Sequence, residues 1–204
     1  MRALVWGLVS LLTACVPVAM LRPPEPARGL EVSVGGSLFN NPFANRNQYP
    51  IIPLPYLAVA QGDGQVEFNF SIQWGLRGGV KLGLGPGLAL DAGLTLLPLD
   101  RSQWAPVDLD GGIILGGEGF YFSPRVHLIP RVYISWGYFI PLPTKVYIDW
   151  DTWYLAWQAS LGTYRQDWAA EIGILTRTLG FEGSGVDGGS RIYLSAAWRF
   201  GIAP

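Results

Sequence analysis

The most regular feature of the chain is residues 65–74, where apolar and polar side chains alternate without a break. The apolar positions are Val66, Phe68, Phe70, Ile72 and Trp74. The polar positions are Gln65, Glu67, Asn69, Ser71 and Gln73. Because successive side chains of a β-strand point to opposite faces, this period of two predicts a strand with one apolar and one polar face. About ten tilted residues is also the length that a strand needs to cross the hydrocarbon of a bilayer.

Alternation of the same kind predicts further strands, separated by loops rich in Gly, Pro, Asn and Asp. It covers residues 30–39, 88–97, 131–138, 153–162, 168–174 and 190–200. Residues 111–122 are Gly-rich and β-like, and two weaker segments cover 52–60 and 78–84. Pro53 and Pro55 are unfavourable in a paired strand, because proline cannot donate a ladder hydrogen bond. The count is therefore ten strands with the two weaker segments and eight without them.

The predicted connections between strands differ in length in a way that is typical of membrane barrels. Long connections cover 40–50, 98–110, 140–151 and 177–189, and short ones cover 61–64, 85–87 and 163–165. The connection over 123–130 is of medium length, and the short connection over 75–77 breaks the alternation of short and long. Outer-membrane barrels have short periplasmic turns and longer external loops. With both ends of the barrel in the periplasm, the long connections would face outward.

Alternation alone would also fit a soluble barrel or sandwich whose apolar face points inward. Charged residues make up only 14% of the chain, against about 25% in soluble domains. A solvated outer face would carry many Lys and Glu, whereas the predicted polar faces carry mostly Gly, Ala, Ser, Asn and Gln. Small residues with a few paired charges suit the crowded interior of a narrow barrel. We therefore expect the polar faces to line the lumen.

Aromatic residues and net charge give further indications. Trp and Tyr near predicted strand ends would form girdles at the two membrane interfaces. These residues are Tyr56, Trp74, Trp104, Tyr121, Trp136, Tyr138, Trp150, Trp153, Trp168 and Trp198. The net charge of −1 provides no basic field, which argues against nucleic acid as a partner.

With these features, the chain resembles the class of bacterial outer-membrane β-barrels. The last strand ends in Trp198-Arg199-Phe200 and is similar to the aromatic-ended C-terminal strand by which such barrels are recognised for assembly. It departs from that pattern because residues 201–204 follow the Phe. The resemblance implies an all-β, antiparallel up-and-down barrel of about 8–10 strands over residues 29–204. It also implies membrane lipid and the outer-membrane assembly machinery as partners.

The alternation assigns individual side chains to the two faces of this barrel. The residues predicted to face lipid are Val66, Phe68, Phe70, Ile72, Trp74, Trp153, Leu155, Trp157, Trp198 and Phe200. The charges predicted to line the lumen are Glu31, Glu67, Lys81, Asp91, Glu118, Arg131, Glu171, Arg191 and Arg199. Because an unpaired buried charge is costly, we expect these charges to form ion pairs. For Glu67 the candidate partner is Lys81 on the next strand.

The N-terminus has the features of a lipoprotein signal. Met1-Arg2 precedes the apolar run 3–14, and Leu12-Thr13-Ala14-Cys15 resembles the lipobox of bacterial lipoproteins. The resemblance implies a signal peptide over 1–14 and lipidation of Cys15, with a Pro-rich extended tether completing residues 15–28. Two alternatives stay open: a signal cleaved further along the chain, and an uncleaved anchor, which the prolines disfavour.

One candidate for catalytic chemistry is the single histidine, His127. Barrel lipases and lipid A deacylases use a His and a Ser two residues apart on one strand, but residue 129 here is Ile. Ser123 and Ser135 would reach His127 only through the fold. We therefore expect His127 to be a loop or lumen residue and the protein not to be an enzyme.

Two pairs of carboxylates have a spacing that metal sites use. Asp108 and Asp110, and likewise Asp149 and Asp151, lie two residues apart, so each pair shares a face and could approach one Ca²⁺. Neither pair has the rest of a calcium loop. The sequence therefore predicts no metal and no cofactor.

The resulting prediction of function is a small outer-membrane β-barrel with a structural or small-solute role in the cell envelope. One alternative is a lipid-anchored periplasmic β-barrel that binds an apolar ligand. The other is a membrane-embedded lipid hydrolase, which the missing His–Ser pair disfavours. The orientation of Phe68 and Phe70 separates the first two hypotheses, because a soluble barrel would turn these side chains inward. The oligomeric state is left open.

Overall fold

Strands form wherever the sequence alternates, and they dominate the structure. In a computed structural model, the described residues are 19–40, 51–73, 75–96, 107–136, 143–180 and 191–202. Their side chains are described too, except those of residues 52, 131–154, 177–180, 191 and 202. The described residues contain no helix long and apolar enough to cross a membrane.

Within these ranges, ten strands pair antiparallel with their neighbours in chain order and close into a barrel. They are β1 (Arg28–Asn40), β2 (Ile51–Asp63), β3 (Val66–Ile72), β4 (Leu76–Gly85), β5 (Leu88–Leu96), β6 (Val107–Gly117), β7 (Phe120–Trp136), β8 (Pro143–Tyr164), β9 (Trp168–Gly180) and β10 (Arg191–Ile202). β1 pairs with both β2 and β10, so the sheet has no free edge. The predicted all-β, up-and-down barrel is confirmed. The two weaker segments are strands β2 and β4, which gives ten strands rather than eight.

The barrel has two different ends. Tight turns over 64–65, 86–87, 118–119 and 165–167 lie at one end, which we call the turn end. The start of β1 and the end of β10 lie there as well, because Leu30 is paired with Ile202 and Arg28 with Asp63. At the opposite end, the loop end, β1, β3, β5, β7 and β9 finish. Residues 41–50, 74, 97–106, 137–142 and 181–190 lie outside the described residues.

The prediction of a single strand over 111–122 was wrong, as was the connection over 123–130. A turn at Glu118-Gly119 divides the predicted strand, and Gly119 has φ 83°, a left-handed conformation that glycine adopts without strain. Residues 123–130 lie in the middle of β7, where Pro124 pairs with Ala159. The pairing register shifts at Pro130/Arg131, and this irregularity accommodates a proline within a long strand. The predicted loops over 98–110 and 140–151 also end earlier, because β6 starts at residue 107 and β8 at residue 143.

The two faces of the barrel wall differ in chemistry. In β3, Glu67 and Asn69 are buried, whereas Phe68 is 65% exposed and Phe70 is 46% exposed. The same pattern holds in β5, where Asp91 is buried between the exposed residues Leu90 and Ala92. Charged and polar side chains are therefore buried inside the barrel, together with apolar clusters such as the one that includes Leu54, Tyr56 and Tyr193, and apolar side chains cover the outside. Phe68 and Phe70 point outward, opposite to what a soluble barrel requires.

Candidate functional site

The inside of the barrel is the candidate functional site, because charged and hydrogen-bonding side chains are buried there. The described residues that contribute them are Arg22, Glu67, Asn69, Arg77, Lys81, Asp91, Asp108, Asp110, Arg125, His127, Gln158 and Glu171. Burying so many charges is costly unless each has a partner of opposite charge or several hydrogen bonds. The structure provides such partners in three groups.

The first group, the arginine–aspartate cluster, joins two arginines and two aspartates on β4–β7. The guanidinium of Arg77 donates to both carboxylate oxygens of Asp110 at 2.8 Å and to Asp91 at 2.5 Å. Arg125 forms ion pairs with the same two carboxylates, 2.9 Å from Asp91 Oδ1. Two positive and two negative charges balance, which reduces the cost of burying them.

Glycines on the inward face make room for this cluster. A Cβ atom on Gly93 would lie 2.4 Å from Arg77 Cζ, and one on Gly79 would lie 2.5 Å from Arg77 Nη1. A guanidinium thus lies flat against two neighbouring strands, where any larger residue would displace it. This packing explains in part why a glycine-rich chain builds a filled lumen rather than an open one.

The second group is centred on Glu67, which lies on β3. Lys81 Nζ is 2.8 Å from Glu67 Oε2, so the predicted pairing of these two residues is present. Arg22 Nη1 lies 2.5 Å from Glu67 Oε1, and the backbone N–H of Ala27 donates to Glu67 Oε2 at 2.8 Å. Lys81 in turn donates to the carbonyls of Pro23 and Glu25. Arg22 and Ala27 were not predicted as partners of Glu67, because they belong to the chain that precedes β1.

The third group is centred on Glu171, which lies on β9. Its carboxylate accepts hydrogen bonds from the hydroxyls of Tyr121 at 2.7 Å and Tyr193 at 2.6 Å. It also accepts from the backbone N–H groups of Leu21 at 3.0 Å and Met20 at 3.4 Å. None of the described basic side chains forms an ion pair with Glu171. This carboxylate is therefore held by neutral donors alone.

Residues 19–27, which we call the lumen segment, belong to the predicted Pro-rich tether and run through the barrel. They start next to Gln73 near the loop end, where Ala19 N donates to Gln73 Oε1 at 3.1 Å. They finish at the turn end, where the carbonyl of Ala27 accepts from Gly64 N. Residues 19–24 are buried, and the hydroxyl of Tyr56 donates to the carbonyl of Met20. The backbone of a segment without strand partners thus obtains its hydrogen bonds from the wall of the barrel.

His127 is fully buried on β7 and belongs to a chain of hydrogen bonds across the lumen. Its Nδ1 lies 3.0 Å from Asp108 Oδ2, and its Nε2 lies 3.1 Å from Gln158 Oε1. Gln158 Nε2 continues the chain to the hydroxyl of Tyr193. Because an amide and not a serine occupies the second imidazole nitrogen, the arrangement lacks the nucleophile of a hydrolase. Ser123 is buried on the same strand, and the side chain of Ser135 lies outside the described side chains.

The charges predicted to line the lumen are placed as follows. Glu67, Lys81, Asp91 and Glu171 are buried inside the barrel, each 1% or 2% exposed. Glu31 and Arg199 pair at 2.6 Å near the turn end, and both side chains are partly exposed. The assignment of Glu118 to the lumen was wrong, because this residue is exposed in the turn between β6 and β7. Arg131 and Arg191 lie on strands, but their side chains are outside the described set.

Residues predicted to face lipid lie on the outer face wherever their side chains are described. Trp198 is 64% exposed, Phe200 57% and Trp157 44%, and Ile72 is exposed as well. Val66 and Leu155 are half-buried on the same face. Trp74 and the side chain of Trp153 lie outside the described part of the chain, as do Cys15 and residues 1–14.

Two of the aromatic residues assigned to interfacial girdles are in fact inside the barrel. Tyr56 is 2% exposed and Tyr121 is 3% exposed, and their hydroxyls bind Met20 and Glu171. A tyrosine ring reaches across a narrow lumen and still offers a hydroxyl donor there. Sequence position near a strand end did not reveal on which face each tyrosine lies.

Several lumen residues were missed because they fell in segments that were predicted to be loops. Arg77 was assigned to a turn, Asp108 and Asp110 to a loop, and Arg125 and His127 to a connection. Extending the period of two backward from Gly79 would have placed Arg77 on the inward face. No comparable signal marked residues 19–27, since a proline-rich segment has no alternating pattern.

The outer wall has an open apolar groove of about 640 Å³ across strands β6–β10. Its lining includes Leu115, Phe122, Leu161, Ile172 and Leu194, all exposed on the outer face. Tyr121 and Glu171 reach its floor, where the wall is thin at Gly162. The groove therefore belongs to the outer surface and not to an internal apolar cavity.

No protein-family model matches the chain, and no curated protein matches it significantly. Among solved structures, the chain is similar to the N-terminal β-barrel domain of Pseudomonas aeruginosa OprF, with 12% sequence identity and a TM-score of 0.34. The match covers 86% of this chain and 99% of that domain.

Proposed function

We propose that this protein is a small, non-enzymatic β-barrel of the bacterial outer membrane with a structural role in the cell envelope. The observation that carries the proposal is the reversed distribution of polarity across the barrel wall. Charged residues such as Glu67, Lys81 and Asp91 are buried inside, while Phe68 and Phe70 on the same sheet are exposed outside. A lipid environment favours this arrangement and water opposes it.

The size of the exposed apolar surface supports the same proposal. Among the described residues, 30 large apolar side chains are exposed, and they occur on all ten strands. Soluble monomers rarely expose a continuous apolar patch of more than a few hundred Å². At roughly 1 kcal/mol for each half-exposed side chain, transfer of this surface into lipid would be favoured by about 30 kcal/mol.

A structural role rests on the filling of the lumen. The arginine–aspartate cluster lies on β4–β7, and the lumen segment contacts side chains of β2, β3, β4 and β9. Side chains and the lumen segment thus fill the described interior, as is expected of a narrow barrel. The small-solute role considered from the sequence would require part of this filling to move.

Neither of the alternatives gains a specific supporting observation. A periplasmic barrel that binds an apolar ligand needs an apolar interior, whereas the described buried side chains include charged residues such as Glu67, Lys81 and Arg77. A hydrolase needs a nucleophile beside His127, whose two ring nitrogens face Asp108 and Gln158. We therefore retain the membrane barrel as the proposed function.

Two partners belong to this proposal. The first is the outer-membrane assembly machinery, which would recognise the last strand through Trp198 and Phe200, both exposed on the outer face. Replacing Phe200 with Ala should then lower the amount of folded barrel recovered from outer membranes, while Phe122→Ala on the same face should not. The second is lipid attached to Cys15, and loss of palmitate labelling on Cys15→Ser would support that attachment.

Membrane fractionation of the full chain, expressed in a Gram-negative host, tests the proposal. We expect the protein to stay in the membrane pellet after carbonate extraction. We also expect the unheated protein to migrate differently from the boiled protein on SDS gels, since closed membrane barrels resist the detergent until heated. Extraction by carbonate, or one mobility at both temperatures, would contradict the proposal.

A further inference from the structure

The lumen segment is held by polar contacts and is not part of the barrel wall. The wall closes through pairing of β1 with β10 over ten residue pairs, and none of them involves residues 19–27. The segment is linked covalently to the wall only where Ala27 continues into Arg28. The sheet can therefore stay closed when the segment moves.

The contacts that hold the segment are hydrogen bonds, one ion pair and the packing of Ala19 and Leu21 in a buried apolar cluster with Tyr56. Glu171 accepts from Met20 N and Leu21 N, and Tyr56 donates to the carbonyl of Met20. Arg22 is the one described charged side chain of the segment that pairs inside the lumen, where it lies against Glu67. Most of the remaining contacts are to backbone atoms, so they depend on the position of the chain more than on its sequence.

Withdrawal of the segment would vacate the part of the lumen that it fills, between Gln73 and Gly64. The chain bends at residues 24–25 and Leu21 has φ 49°, so the nine residues span less than the roughly 30 Å of a fully extended chain. The segment begins beside Gln73 near the loop end and ends beside Gly64 at the turn end. Among the described residues, no hydrogen bond joins the segment to the arginine–aspartate cluster, so that cluster keeps its own hydrogen bonds when the segment moves.

The vacated space would be lined by carboxylates that have lost donors. Glu171 would lose both backbone N–H groups and would keep only the hydroxyls of Tyr121 and Tyr193. Glu67 would lose Arg22 and Ala27 N and would keep Lys81. A carboxylate without a cationic partner, facing water in a narrow lumen, attracts small cations.

We propose that the lumen segment is a displaceable plug and that the barrel conducts small inorganic cations when the segment leaves the lumen. The proposal rests on the proposed membrane location. It deepens the structural role, because the filled barrel described above becomes the closed state of a cation pathway. Arg22 acts as the cation that neutralises the lumen in that closed state.

Planar bilayers that contain the purified full chain in a KCl gradient test the proposal. The native protein should be closed most of the time. Arg22→Ala removes a buried charge pair and Leu21→Ser removes a packed apolar side chain, and neither substitution lies in the wall. Each should therefore raise the open probability by at least roughly tenfold. Arg22→Lys should restore closure in part. Arg28→Ala, which removes an exposed arginine at the start of β1, is the matched control and should behave as native.

The current through the opened variants should reverse at a potential that shows K⁺ preferred over Cl⁻, and Glu171→Gln in the Arg22→Ala background should reduce that preference. The proposal is overturned if both folded segment variants stay as closed as the native protein, if the native protein is already open to the same extent, or if Cl⁻ is preferred. It is also overturned if both variants lose the heat-dependent gel shift, because the segment would then be needed for folding. Absence of that shift from the native protein would instead contradict the membrane location.

Discussion

The carboxylate of Glu67 contacts two cations, Lys81 and Arg22. We therefore predict that Glu67→Gln lowers the free energy of unfolding more than Lys81→Met does. Lys81 Nζ is 2.8 Å from one carboxylate oxygen and Arg22 Nη1 is 2.5 Å from the other. At an effective dielectric constant of about 20, each contact amounts to roughly 6 kcal/mol of Coulomb attraction before desolvation is subtracted. Glu67→Gln forfeits both attractions and leaves two buried cations, whereas Lys81→Met leaves a matched pair of Glu67 and Arg22.

The expected losses in the free energy of unfolding follow from this difference. Glu67→Gln should cost about 3–5 kcal/mol, the range for leaving buried charges uncompensated. Lys81→Met should cost about 1–2 kcal/mol, mainly through its lost hydrogen bonds to the carbonyls of Pro23 and Glu25. In the double variant a single cation, Arg22, is left without its carboxylate, so its loss should lie between those of the two single variants.

Urea-induced unfolding of the refolded protein in detergent micelles, followed by tryptophan fluorescence, measures these values. A cost of Lys81→Met equal to or greater than that of Glu67→Gln would refute the reasoning. So would a cost below about 0.5 kcal/mol for both, since that is the range of exposed surface substitutions.

Two further predictions concern the two faces of the wall. A Cβ on Gly162 would lie 2.0 Å from Tyr121 Cζ, so Gly162→Ala should lower the free energy of unfolding by about 1–3 kcal/mol, while Gly78→Ala, with no atom within 4 Å, should change it little. Equal losses in the two variants would contradict this packing. Phe68→Arg should cost about 2–4 kcal/mol for the protein folded in phospholipid vesicles, because the arginine would enter hydrocarbon. Glu118→Arg in the exposed turn should be neutral, and a neutral Phe68→Arg would indicate that this face does not contact lipid.

The barrel could be predicted from the sequence because each strand has a polar face in the lumen and an apolar face on the outer surface. An unbroken period of two over residues 65–74 predicted β3 and the facing of Glu67 and Phe68 correctly. It also predicted the ion pair of Glu67 with Lys81, since directly opposite positions on neighbouring strands share a face. Pairs of this kind can be predicted from strand register without knowledge of the structure.

Turns and long strands were predicted less well where proline or glycine disguised them. Pro124 and Pro130 suggested a connection, but both lie within β7, where pairing tolerates them. The glycines before Glu118 continued a strand pattern and concealed a hairpin turn at Gly119. Misplacing these boundaries removed Arg125 from the predicted lumen and left His127 open between a loop and the lumen.

The lumen segment was beyond the reach of sequence patterns for a physical reason. Its contacts with Glu171 and Tyr56 are made by backbone N–H and C=O groups, which every residue type other than proline provides in full. The proline content of residues 16–28 predicted an extended tether. It contained no information about whether that chain lies in water or inside the barrel.

The central claim is that the outer face of the wall contacts lipid and that the inner face is closed to water. Spin labels placed one at a time at residues 67–70, in a Cys15→Ser chain reconstituted into bilayers, test it most directly through collisions with oxygen and with a water-soluble nickel complex. We predict high oxygen accessibility at positions 68 and 70 and low accessibility to both reagents at positions 67 and 69. Access of the nickel complex to positions 68 and 70 would contradict the claim, because these side chains would then face water and not lipid.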